Sequence, residues 1–271
     1  MDVLKIALTQ ITSIDDLNEN LHTILGLLNK LSPGEVSAVF FPENCLYMRL
    51  QEGEKIKGLE LQHEVFNVLA NWALKFKIGI HLGSVPISED GSLFNGSVWI
   101  NGQGKVQVTY RKVHLFDIHL ENQKPIKESD VFKHGSSPEI LKLENWNLGQ
   151  SICYDLRFSE LYHYYARQHV DALLIPSAFL VKTGEAHWNV LMRARAIESQ
   201  CYVIASAQSG LHKSNRGQRE TYGHSVVIDP WGTVLAELKN SPDIQVVELQ
   251  KSRIQAVRTQ IPMKNHRRGP F

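Results

Sequence analysis

Apolar residues fall on every second position near the start of the chain, with Leu4, Ile6 and Leu8 in register across 3–10. A period of two marks a strand with one buried face. The period then changes. Over 15–32, Leu17, Leu21, Ile24, Leu25, Leu28 and Leu31 fall on one face of a helix. A short apolar run at 37–44 reads as a buried strand that ends in Glu43. Leu61, Val65, Leu69 and Trp72 place a second helix over 60–76, and 78–87 returns to a strand. Two β-rich runs over 97–110, separated by Asn101-Gly102 and Gly104, form a hairpin signal that leads into Arg111 and Lys112.

The second half repeats this order. Strands are expected at 148–153, 171–176 and 201–208, with helices at 158–168 and 187–200 between them. A loop at 210–222 follows, then a hairpin over 224–238 turning at 229–232, and a last strand at 246–250. Each half therefore reads β-α-β-α-β plus a hairpin, although the halves share no obvious sequence identity. Such alternation argues for sheets covered by helices. Two similar halves suggest two packed sheets in a four-layer αββα sandwich of the α/β class; one doubly wound sheet is the alternative. No Pro/Ser-rich linker or charge block divides the chain, so a single domain over 1–271 is expected.

Composition narrows the function. Apolar residues make up 43% and charged residues 21%, and 29 basic against 28 acidic residues give a net charge of +1. That balance favours neither nucleic acid nor an anionic membrane surface as partner. No stretch reaches the roughly 18 apolar residues of a membrane span, and MDVLKIALTQ at the start reads as a strand rather than a signal peptide. Three cysteines, Cys45, Cys153 and Cys201, form no disulfide framework. A cytoplasmic location with free thiols is the expectation. HEVFN at 63–67 lacks the second histidine of a zinc-protease helix, and GQGK at 102–105 is no phosphate loop. No metal and no cofactor are expected.

Three residues stand out because each closes a β-like run at its C-terminal end: Glu43, Lys112 and Cys153. In open α/β sheets ligands sit beyond those ends, so residues far apart in sequence can converge there. Their chemistry is complementary. A thiol needs a base to become a nucleophile, a buried carboxylate can serve as that base, and a lysine can stabilise a thiolate and an oxyanion. The N-terminus of the 158–168 helix is expected to add partial positive charge near Cys153. Taken singly, each residue has a plain structural reading: packing for the cysteine, capping for the glutamate, solvation for the lysine.

FPEN around Glu43, YRKVHLFD around Lys112 and GQSICYDLRFSELY around Cys153 resemble the three signature blocks of the nitrilase superfamily of carbon–nitrogen hydrolases. The resemblance runs from the first strand to the last hairpin and implies that family's αββα sandwich. It implies Glu43 as base, Lys112 as oxyanion stabiliser together with the Tyr154 N–H, and Cys153 as nucleophile. It also implies a second glutamate after the lysine: Glu128, in an E-S dipeptide, or its competitor Glu121.

Within the superfamily, IPSAF, TGEAHWNVLMRARAIESQCYV, TYGHSVVIDPWG and the near-terminal HRR look closest to the members that act on deaminated glutathione. The implied reaction is hydrolysis of that compound's side-chain amide through a cysteine thioester, with release of ammonia, as metabolite repair. An omega-amidase acting on alpha-ketoglutaramate or another short dicarboxylic monoamide is the neighbouring reading, and a catalytically silent interaction protein the distant one. The implied partners are a small amide substrate bearing a carboxylate, water, and a second copy of the chain in a homodimer, with MKNHRRGPF either packed at that interface or solvated. Arg157 is a candidate for carboxylate binding, or for an ion pair with Asp155 or Glu160; Arg193, Arg195 and Arg219 are further cations to consider. Phe179 and Trp188 either wall the pocket or belong to the core.

Overall fold

A computed structural model describes residues 2–51, 53–119, 125–239 and 241–269. The first half runs β1 (Val3–Ile11), α1 (Leu17–Leu28), β2 (Ala38–Phe40), α2 (Glu64–Phe76), β3 (Gly79–Glu89), β4 (Ser92–Ile100) and β5 (Val106–Arg111). A small ribbon of β6 (Asp117–Ile118) and β7 (Ile126–Lys127) follows. The second half runs β8 (Ile140–Leu143), β9 (Trp146–Gln150), α3 (Ser159–Arg167), β10 (Ala172–Leu174), α4 (Val181–Ser199), β11 (Tyr202–Ala205), β12 (Ala207–Lys213) and β13 (Gln218–Tyr222). It ends with β14 (Val226–Ile228), β15 (Val234–Glu237), β16 (Asp243–Gln250), α5 (Lys251–Gln260) and α6 (Met263–His266).

Among the described residues, one eight-stranded sheet has the order β13-β12-β1-β2-β3-β4-β5, with β16 antiparallel beside β1, and a six-stranded sheet has the order β15-β14-β11-β10-β9-β8. Strand alternation explains why they stack. In β1 and β2, Leu4, Ile6, Leu8, Ala38 and Phe40 point one way and meet Leu148, Ala172, Leu174, Tyr202 and Ile204 of the other sheet. Their neighbours Ala7 and Val39 point the other way, onto Ile24 and Leu28 of α1 and Leu69 of α2. In the second sheet, Leu173 and Val203 turn outward to Tyr165 of α3 and Trp188 and Met192 of α4. The result is the four-layer αββα sandwich, and it displaces the single doubly wound sheet.

Three local expectations change. The run at 201–208 is two strands rather than one: β11 lies in the six-stranded sheet and β12 in the eight-stranded sheet. The chain crosses at Ser206, whose hydroxyl donates to the Phe40 carbonyl at 2.7 Å and pins the two sheets together. Residues 210–222 are mostly a β12–β13 hairpin, with His212 opposite Arg219. The helix at 187–200 begins six residues earlier. Its added turn carries Gly184, where a Cβ would run into the Tyr222 ring, so only glycine lets the helix lie this close to β13.

Candidate active site

The ends of three strands meet at one cavity. β2 stops at Phe40, three residues before Glu43; β5 stops at Arg111, beside Lys112; β9 stops at Gln150, three before Cys153. Glu43, Lys112 and Cys153 are 3%, 2% and 8% exposed, and all line the cavity. Close packing brings the two sheets' contributions together. A Cβ on Gly83 of β3 would collide with the Phe41 carbonyl and with Pro176, which follows β10. The same Pro176 carbonyl accepts the Cys153 N–H at 2.9 Å.

Lys112 Nζ lies 2.8 Å from Glu43 Oε1 and 2.9 Å from Glu128 Oε2. The β6–β7 ribbon folds the loop back and delivers Glu128. The Phe116 N–H donates to Glu128 Oε2 at 2.6 Å, and the Ser129 hydroxyl is tied to Asp117 at 2.6 Å. Among the described residues, Glu128 is the second glutamate paired with Lys112; its competitor Glu121 lies outside them. Burial alone would lower the Lys112 ammonium, but Glu128 and Glu43 outweigh it and hold its pKa well above the ordinary value.

Asn95 was not visible as a site residue in the sequence. It is 1% exposed on β4, and its amide donates to Glu43 Oε1 at 3.1 Å and to Glu128 Oε1 at 2.8 Å. Its own carbonyl accepts the Lys112 N–H at 2.9 Å, and its side-chain oxygen has no partner among the described residues. One asparagine therefore ties both carboxylates and the lysine backbone. The available signal was an asparagine in a strand whose other residues are apolar or small.

Cys153 has a φ of +48°, a left-handed conformation that costs roughly 1–3 kcal/mol in a non-glycine residue. The surroundings hold it there. Asp155, fully buried, accepts the Ile152 N–H and the Tyr110 hydroxyl, both at 2.8 Å, and the His114 backbone N–H at 2.9 Å. Residues 153–157 form a 3-10 turn, and α3 starts only at Ser159, so the expected helix N-terminus is a turn removed from the thiol. The Tyr154 N–H has no backbone acceptor among the described residues. Burial pushes the Cys153 thiol well above its ordinary value; the Glu43 carboxylate adds to this and Lys112 opposes it. On balance the surroundings favour the thiol over the thiolate. Burial likewise pushes Cys45 and Cys201 up to about 12, and both are fully enclosed as packing groups.

The cavity walls sort the remaining expectations. Arg157 lines the cavity with its guanidinium over the Phe179 and Tyr154 rings, 5.4 and 5.9 Å from their centroids, and contacts His187 Nδ1 at 3.1 Å. It makes no ion pair with Asp155 or Glu160 among the described residues, because Asp155 is already saturated. Phe179 lines the cavity; Trp188 does not. Trp188 packs into the core, where it is fully buried, donates to the His224 carbonyl at 2.8 Å and backs Phe179 edge-on at 5.2 Å. Arg193 and Arg195 are structural, bound to the Gly232 carbonyl at 3.0 Å and the Leu156 carbonyl at 2.8 Å. Arg219 does line the cavity, together with Arg49, which nothing in the local sequence marks as a site residue. No cluster of three His, Cys, Asp or Glu side chains suited to a metal ion occurs among the described residues.

A sandwich of this kind with an acid, a lysine and a cysteine at its strand ends falls in a known class: residues 5–259 match the carbon–nitrogen hydrolase family model, and the chain belongs to that family. A deaminated glutathione amidase from Synechocystis is 36% identical over 96% of this chain and 97% of its own. The NitFhit protein of C. elegans superposes with a TM-score of 0.87 at 32% identity, covering 99% of this chain and 66% of that one. Nit3 of Saccharomyces cerevisiae, a member of branch 10 of the nitrilase superfamily, gives a TM-score of 0.79 at 28% identity, covering 99% and 97%.

Proposed function

We propose that this chain, acting as one catalytic unit over 1–271, is an amidase that hydrolyses deaminated glutathione through a thioester on Cys153. The observation that carries the chemistry is the cluster of Glu43, Lys112 and Glu128 joined by hydrogen bonds beside the Cys153 thiol. The substrate rests on the name of the similar cyanobacterial protein and on the arginines of the cavity wall.

Glu43 takes the thiol proton as Cys153 Sγ attacks the amide carbon. Lys112 Nζ and the Tyr154 N–H receive the oxyanion. The C–N bond breaks as Glu43 returns the proton to the departing nitrogen, leaving the thioester. Water, deprotonated by Glu43, attacks the thioester; the carbon–sulfur bond breaks, the acid leaves and the thiol regains its proton. Glu128 orients Lys112, and Arg157 receives the carboxylate of the acyl half, with Phe179 as its apolar wall.

The leaving nitrogen depends on the substrate. A primary amide such as alpha-ketoglutaramate releases ammonia, and the ammonia expected above from deaminated glutathione is corrected by that compound's chemistry. In deaminated glutathione the scissile nitrogen belongs to the cysteinylglycine half, so the dipeptide departs in its place. No helix among the described residues is long and apolar enough to cross a membrane. A cytoplasmic homodimer completes the proposal, supported by the three free cysteines and by the exposed Val190 and Ile197 on α4.

The test is turnover of deaminated glutathione, followed by cysteinylglycine release, beside alpha-ketoglutaramate and simple nitriles. Wild-type enzyme is expected to favour the first and to show an acyl adduct on Cys153 by mass spectrometry, and Cys153→Ala to have neither activity nor adduct. A preference for nitriles, or full activity in Cys153→Ala, overturns the reading.

A further inference from the structure

Two arginines of the cavity wall have no partner among the described residues. Arg49 lies on the loop after β2 and Arg219 on β13; both are only partly exposed. Neither side chain makes a hydrogen bond or ion pair among the described residues. Other arginines here are matched: Arg216 has Glu54 at 3.0 Å, and Arg195 has Glu198 at 2.7 Å. Burial weighs first against the Arg219 charge; Glu43 supports it and Arg49 opposes it. Two partly buried cations that repel each other, with neither paired to a protein anion among the described residues, are costly unless a ligand supplies the charge. The same pair also lines a second groove whose wall carries Lys55 and Lys127 together with Glu54 and Asp130, and so stands where the two cavities join.

We propose that Arg49 and Arg219 together form a carboxylate receptor for the leaving half of the substrate, separate from Arg157. This rests on the function proposed above and specifies it. Arg49 and Arg219 line both the catalytic cavity and the adjoining groove, whereas Arg157 lines only the cavity. With the acyl half taken by Arg157 and Phe179, the groove side falls to the leaving half, and it gives room for a fragment of dipeptide size. Arg157 lies elsewhere, over Tyr154 and Phe179. Deaminated glutathione carries a carboxylate on each side of its scissile amide, whereas alpha-ketoglutaramate carries one on the acyl side only. The receptor makes the first the better fit.

The experiment compares deaminated glutathione with its C-terminal amide, which lacks the distal charge. Capping is expected to lower wild-type kcat/KM about 10- to 100-fold, the size of a charged hydrogen bond. In Arg49→Gln and Arg219→Gln that penalty shrinks toward one, and in Arg219→Lys part of it returns. An equal rate on acid and amide in the wild type, or an undiminished penalty in both glutamine variants, overturns the receptor. A turnover-independent arm separates this from the proposed function. Acetyl-alanyl-glycine is expected to protect Cys153 from iodoacetamide in the wild type but not in Arg219→Gln, and acetyl-alanyl-glycinamide to protect neither. Protection without turnover of deaminated glutathione upholds the receptor and rejects that substrate; absent protection rejects the receptor.

Discussion

At the floor of the cavity, Lys112 stands 2.8 Å from Glu43 and 2.9 Å from Glu128, and Asn95 bridges the two carboxylates. At its mouth, among the described residues, Arg49 and Arg219 have no such partners, and Arg157 meets His187 and two aromatic faces. The floor is thus organised before any ligand arrives, so stabilising an oxyanion there requires little rearrangement. The mouth keeps its cations unmatched, and an anionic ligand completes it. Substitutions in the floor are expected to lower kcat, and those in the mouth to raise KM.

The largest effect is expected at Glu43. Glu43→Gln removes the base and should lower kcat by about 10²–10⁴-fold. It should also shift the thiol. The Glu43 carboxylate raises the Cys153 pKa and Lys112 lowers it, so removing the negative charge moves ionisation to lower pH. Alkylation of Cys153 followed against pH should therefore move to lower pH while hydrolysis collapses. A shift to higher pH would contradict this arrangement.

Lys112→Met should lower kcat by about 10²–10³-fold, the scale of a lost oxyanion donor. It also leaves two buried carboxylates facing each other without a cation. Stability to denaturant should fall by roughly 3–5 kcal/mol, as when one partner of a buried ion pair is removed. Loss of activity with unchanged stability would show that the floor does not depend on this pairing.

Asn95→Leu comes next. It frees Glu43 and Glu128 from their shared donor, and a buried hydrogen-bonded group lost in this way costs about 1–3 kcal/mol. The expected signature is a fall in kcat and an altered pH profile, with KM nearly constant. An unchanged pH profile would reduce Asn95 to packing.

The smallest effect is expected at Arg157→Lys. The charge remains but the planar fork is lost, so KM should rise several-fold while kcat and the melting temperature stay close to wild type. An unchanged KM would remove Arg157 from the mouth.

Much of this was legible from residue order. The alternation at Leu4, Ile6 and Leu8 and the helical stripe through Leu17 and Leu28 foretold a strand and a helix that the structure contains. The C-terminal ends of three runs pointed to Glu43, Lys112 and Cys153, and the E-S dipeptide to Glu128. Other features were not legible. Trp188 reads the same in the sequence whether it faces a cavity or a core, and only its packing with Phe179 and the His224 carbonyl places it in the core. The 201–208 run looks like one strand because all its residues suit a strand; nothing local reveals that Ser206 carries the chain from one sheet to the other.

The sequence by itself determined the elements and their faces, because backbone geometry sets periods of two and 3.6 over short stretches. It also determined which strand ends carry a thiol, an acid and a lysine. Only the tertiary structure decided that Asn95 joins Glu43 to Glu128 across separate strands and loops, and that Arg49 and Arg219 share one wall. Those pairings depend on distances between residues far apart in the chain, and such distances exist only once the two sheets have packed.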